Sequence, residues 1–145
     1  MIAENIRLKG RLQITMYRDS GKIEHYDFRN LVVDGGKAFV ASRMVGATPA
    51  VMGNMAVGTA NTAPAAGNTT LGAETARVAF DNSGAAGPVV TYAATFGPGI
   101  GTGALVEAGL FNAASAGNML SRVVYPVVNK GAADTMSVTW TITVT

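Results

Sequence analysis

Apolar and polar residues alternate along much of this chain. The clearest case is TMSVTWTITVT, residues 135 to 145, where Met136, Val138, Trp140, Ile142 and Val144 alternate with threonine or serine. A period of two sends the two sets to opposite faces of a β-strand. The apolar set, with Trp140 at its centre, reads as a core face. Each large side chain buried there contributes about 1.5–3 kcal/mol. The length of the run predicts an interior position in a sheet. The other face is a ladder of hydroxyls, since threonine is a good strand residue that also tolerates water.

The same rule reads residues 5 to 17 as a strand. Ile6, Leu8, Leu12, Ile14 and Met16 share one parity, interrupted by Gly10, and Arg7, Lys9, Arg11, Gln13, Thr15 and Tyr17 take the other. RDSGK, 18 to 22, is a turn, and IEHYDF, 23 to 28, returns as a second strand, so the chain opens with a hairpin. The pattern then changes. Asp34 can cap a helix, Phe39, Val40, Arg43 and Met44 have helical spacing, and Gly46 fits a stop. This predicts one short helix near residues 35–45.

Further short strands follow at 54–58, 77–83, 88–96, 104–111 and 119–128, with SGAAGP, GPGIGTG and NAASAGN between them as turns or loops. TANTAPAAGNTTLGAETAR, 59 to 77, is a long connection of small residues, and Pro126 belongs at a strand edge or bulge. The expected fold is all-β: an antiparallel β-sandwich, jelly-roll-like, of about eight strands. No linker divides it, so residues 1–145 read as one domain, with a charged N-terminal hairpin (1–30) and a body (31–145).

Charge changes the picture. Only 14% of residues are charged, and thirteen of the twenty charged side chains fall within the first 43 residues. The rest is a large, nearly uncharged Ala/Gly/Thr surface that suits packing against another protein. A net charge of +2 makes no bulk case for nucleic acid, and no aromatics interleave with the basic residues. The N-terminus lacks the apolar core of a signal peptide, and no apolar run approaches a membrane span. The expectation is a soluble protein made in the cytoplasm.

Catalytic signals are thin. There is no cysteine and only one histidine, His25, which argues against thiolate and zinc chemistry. GPGIGTG lacks the Lys-Ser or Lys-Thr of a phosphate loop and reads as a flexible hairpin loop. Asp34-Gly-Gly-Lys37 reads as a loop and helix start. Glu107, inside the apolar strand ALVEAGLF, needs a partner. Arg77 and Arg122 are the only arginines after residue 43, and either can pair with it across the sheet. The competing reading of Glu107 is half of a glycosidase carboxylate pair with Glu74. Arg7, Lys9 and Arg11 form a basic row that is either a solvated, edge-protecting face or a docking surface for an acidic protein. No catalytic, cofactor-binding or metal site is expected.

Three segments carry a resemblance. They are MAVGTANTAPAAGNTTLGAETARVAF (55–80), VTYAATFGPGIGTGALVEAGLFNAASAGNMLSRVVYP (90–126) and VVNKGAADTMSVTWTITVT (127–145), with NLVVDGGKAFVASRM (31–45) fitting the short helix before them. Together they resemble small structural proteins of tailed bacteriophages. Within that group the chain looks most like a capsid cement, or decoration, protein of a short-tailed, Bordetella-phage-type virion. The resemblance implies a jelly-roll-type sandwich with no active site. It also implies a position on the capsid exterior, after synthesis in the host cytoplasm. The implied partners are the major capsid protein and the chain itself, as a homodimer or homotrimer, with no direct nucleic acid and no membrane. It makes Thr139 and Thr141, with Arg7, Lys9 and Arg11, candidate partner-binding residues. A tail, fibre or baseplate component of the same class is the alternative, and a cell-wall glycan hydrolase or carbohydrate-binding module is a third.

Overall fold

A computed structural model describes residues 5–46 and 49–145. Glu4, at the start of the charged stretch, and positions 47–48, just after the helix, lie outside them. Among the described residues the chain forms nine strands and one helix. They are β1 (Leu8–Tyr17), β2 (Ile23–Val32), α1 (Asp34–Arg43), β3 (Asn54–Gly58), β4 (Glu74–Ala79), β5 (Asn82–Ala86), β6 (Val89–Phe96), β7 (Gly103–Phe111), β8 (Met119–Lys130) and β9 (Thr135–Val144). The protein is all-β with one short helix.

The strands make one antiparallel sheet in the order β4-β3-β7-β8-β2-β1-β9-β6-β5, curled on itself. Strand β2 is the shared seam. Its residues 23–30 pair with β1, and Leu31 and Val32 then pair with β8. The curled sheet thus has two halves: sheet A (β2, β1, β9, β6, β5) and sheet B (β4, β3, β7, β8 and the end of β2). The charged hairpin is no appendage, because β1 and β2 lie at the centre of the strand order.

The alternating patterns fill the space between the halves. Leu12, Ile14 and Met16 of β1, Met136, Val138, Trp140 and Ile142 of β9, and Phe96 of β6 share one buried cluster with Val57, Leu105, Leu110, Leu120, Val123 and Val128 of sheet B. Strand β9 lies between β1 and β6, an interior place. Gly10 has a specific reason to be glycine. It faces Asn30 across the ladder, and a Cβ there would sit 1.4 Å from Asn30 Oδ1. The space lets Asn30 reach inward, where its Oδ1 accepts the Trp140 indole N–H at 3.1 Å.

Helix α1 packs on β8 through Gly36, where a Cβ would come within 2.0 Å of the Leu120 carbonyl oxygen. Its N-cap is Val33, not Asp34, and no side chain caps it. The backbone N–H of Gly46, at φ 66°, closes the helix end on the Arg43 carbonyl at 3.3 Å. No helix of the described residues is long and apolar enough to cross a membrane.

The expectations for two loops also need correction. SGAAGP is not merely a turn, because residues 82–86 form β5, raising the strand number to nine. Alanine and glycine have weak strand preference, so pairing with β6 through a turn at Gly87 (φ 57°) builds this strand. GPGIGTG is not a hairpin loop. It carries the chain from β6 in sheet A to β7 in sheet B, with Gly99, Gly101 and Gly103 at positive φ. Pro126 does lie in a bulge: Glu107 opposes Val124 while Leu105 opposes Val128, leaving extra β8 residues between.

At one end, the β1–β2 turn is tied to the β8–β9 turn. Arg18 bonds Glu24 at 2.8 Å and Asp134 at 2.9 Å, and also reaches the Asn129 carbonyl. Asp134 is held at about 2 by the N–H groups of Asp19 and Gly131 and by Arg18. Glu24 is held at about 2 by Arg18 and the Tyr26 hydroxyl. Beside them Lys130 is buried, its ammonium donating to the Gly97 carbonyl at 2.8 Å, and burial pulls its pKa down.

Candidate functional site

The outward face of sheet A collects most of the candidate docking residues. The alternation of β1, β9 and β2 places their polar sets on one side, and the register aligns them in rows. Arg29, Arg11, Thr141 and Thr91 lie side by side across β2, β1, β9 and β6. The next row is Asp27, Gln13, Thr139 and Ala93. Lys9 stands opposite Thr143. The hydroxyls of Thr139, Thr141 and Thr143 make no side-chain hydrogen bond among the described residues, although these positions are half-buried in the sheet. They are flat, uncharged acceptors and donors with no internal partner.

Lys9, Arg11, Asp27, Arg29, Thr141 and Thr143 surround a shallow basin of about 750 Å³. Arg11 donates from Nε to both Asp27 oxygens, at 2.9 and 3.0 Å, and its terminal nitrogen also meets Asp27. The pairing raises the Arg11 pKa and lowers that of Asp27, mainly through the hydrogen bonds, with Arg29 adding a favourable charge for Asp27. The pair is exposed and adds little stability. Lys9 and Arg29 form no salt bridge among the described residues, so three cations face one carboxylate and the basin is positive.

Arg7 stands apart. Its backbone pairs with Thr145, and it lines a different groove beside α1. The face therefore unites Lys9, Arg11, Thr139 and Thr141, and leaves Arg7 outside the basin. Arg29 and Asp27 were missed as docking candidates. Their signal was available in IEHYDFRN, where they share the parity of His25 and so the outward face.

Glu107 belongs to the other half. It is fully buried on sheet B, and Arg122 is its partner, donating from two nitrogens to Oε2 at 3.0 and 2.9 Å. The backbone N–H groups of Gly72 (2.9 Å), Ala73 (2.7 Å) and Ala60 (3.3 Å) complete its shell. Burial pushes its pKa up. The Ala73, Gly72, Arg122 and Ala60 donors outweigh that and hold it lowered. Arg122 also reaches Asn68 at 3.2 Å. The loop 59–73 is thus strapped over sheet B, where Leu71 packs with Val33, Ala56, Phe111 and Met119 in a second small core. Glycine at 58 and 72 lets the loop come close: a Cβ on Gly58 would lie 2.5 Å from a Glu107 oxygen.

Arg77 takes no part in this network. It pairs with Glu74, at 3.0 and 2.7 Å, and lies over the Phe111 ring at 3.7 Å. Its strand, β4, pairs with β3 and not with β7, which carries Glu107. An ionised Glu107 whose two oxygens accept five hydrogen bonds has no proton to donate, and Glu74 is engaged by arginine, so neither is poised for acid–base work. His25 is exposed on the outward face of sheet A, with its Nδ1 3.3 Å from the Thr15 hydroxyl. Compared with known proteins, the chain matches no family model, no curated protein and no solved structure.

Proposed function

We propose that this is a virion structural protein, a capsid cement protein that binds the outside of a major capsid protein lattice through the outward face of sheet A. The observation that carries it is the joining of a positive basin, around Lys9, Arg11 and Arg29, to a ladder of unpartnered threonine hydroxyls in the middle of a sheet. Such a face is cheap to desolvate where hydroxyls meet backbone groups, and its cations select an acidic partner surface. The segment resemblance at 55–80 and 90–145 supplies the partner class. The mechanism is additive: each copy makes modest contacts, and many copies on one lattice resist expansion together.

The test is the copy number of the protein, relative to the major capsid protein, in purified particles of the encoding phage. The expected result is copies in fixed proportion to the shell, in the head fraction. Lys9→Glu with Arg29→Glu is expected to abolish attachment while the circular dichroism spectrum stays unchanged. A few copies located at the tail would replace cement with a tail component, and absence from particles would end both.

A further inference from the structure

A second surface, which shares no lining residue with the basin, lies beside α1. A groove of about 690 Å³ runs between the start of β1, the end of β2, the end of β9 and the helix. Ile6, Leu31, Met44 and Val144 line it and are among the exposed large hydrophobic residues, with Ile6 81% and Met44 84% exposed. Clustered exposure of this kind marks interaction sites. The charged residues lining the groove are both cations, Arg7 and Lys37, and neither has an acidic partner among the described residues. Asn30 lines it too. Its Oδ1 is taken by Trp140, while its Nδ2 is buried without a hydrogen-bond partner.

We infer that this groove docks an extended protein segment bearing apolar side chains and carboxylates. Each part of the site selects one part of such a segment. The apolar walls take its aliphatic side chains, and Arg7 and Lys37 take its carboxylates. A segment lying along the groove covers Ile6 and Met44 and remains solvated on its outer side. None of this depends on the sheet A face.

The experiment uses the full chain and two short fluorescent peptides, one alternating leucine with glutamate and one alternating leucine with lysine, read by anisotropy. The acidic peptide is expected to bind at least about tenfold more tightly than the basic one. Lys37→Glu is expected to invert that order, and Met44→Glu to weaken the acidic peptide by about tenfold. Both positions are exposed, so circular dichroism should be unchanged. Lys9→Glu with Arg29→Glu should leave peptide binding intact, which separates this site from the proposed capsid face. Equal binding of the two peptides, or no effect of the two groove substitutions, overturns the inference. So does self-association that Met44→Glu dissolves, which makes a second copy the occupant. Binding of dodecanoate without either peptide also overturns it, in favour of a small amphiphile.

Discussion

The outward faces of the two half-sheets are treated in opposite ways. Sheet B is covered by its own chain: loop 59–73 is fixed on Glu107 and Arg122 and seals a second small core around Leu71. Sheet A has no such cover among the described residues, and Thr139, Thr141 and Thr143 reach the surface between β1 and β6. The covered face contains a buried ion pair, which is strongly coupled to folding once formed. The open face contains an exposed pair, Arg11–Asp27, which is not. A face that the fold leaves bare and polar, with a row of threonine hydroxyls lacking internal partners, is free to be used by something else.

The contrast can be broken most severely on the covered side. Arg122→Ala leaves the Glu107 carboxylate buried without its cation, and a loss of about 3–5 kcal/mol is expected in urea denaturation, with new protease cleavage in loop 59–73. A loss below about 1 kcal/mol would erase the distinction between the faces. The open half is held from its inner side instead. Gly10→Ala pushes Asn30 off Trp140, and an expected cost of about 1–3 kcal/mol with a shifted Trp140 fluorescence maximum would show it.

The pH dependence sharpens the comparison at the end where the halves are tied. Asp134 and Glu24 are lowered from ordinary values of 3.8 and 4.5 to about 2 in the folded protein. Their stabilisation is complete above the unfolded values and is lost as pH falls through about 2. The urea midpoint should therefore drop between about pH 4.5 and pH 2. Arg18→Leu should flatten that drop, and an unchanged profile would show that Arg18 does not hold the two turns. The smallest effect belongs to the ladder. Thr139→Lys and Thr141→Glu should each change stability by no more than about 0.5 kcal/mol. If capsid attachment also survives both, the ladder is simply wet.

The regular strands were legible because their periodicity is a local property. Strand β9 gave its core face, its hydroxyl face and its interior place without any tertiary information. Glu107 announced its need for a cation because an acid in an apolar strand has few solutions. The choice of Arg122 over Arg77 was not legible, since it depends on strand order: β8 pairs with β7 beside Glu107, whereas β4 pairs with β3. Strand β5 was hidden because NSGAA has almost no strand preference of its own. The Gly10–Asn30–Trp140 contact joins residues distant in sequence, and Gly10 looked like an interruption until Asn30 filled its space. Loop 59–73 read as a passive connection because its binding groups are backbone N–H donors, which no side-chain pattern reveals.

Strand β9 pairs with β1 along its whole length, from Leu8 opposite Val144 to Tyr17 opposite Thr135, and with β6 on its other side. That register sets an order of assembly. While the chain is being synthesised, β1 and β6 cannot meet in the sheet, because the strand between them, β9, is made after both. Their apolar faces must wait until β9 has been made. Such distant pairing belongs to the slow class of folding, milliseconds to seconds. The strand that presents the threonine ladder to the outside is thus also the one whose arrival closes sheet A, and substitutions on its inner face should reduce the yield of folded chains as well as their stability.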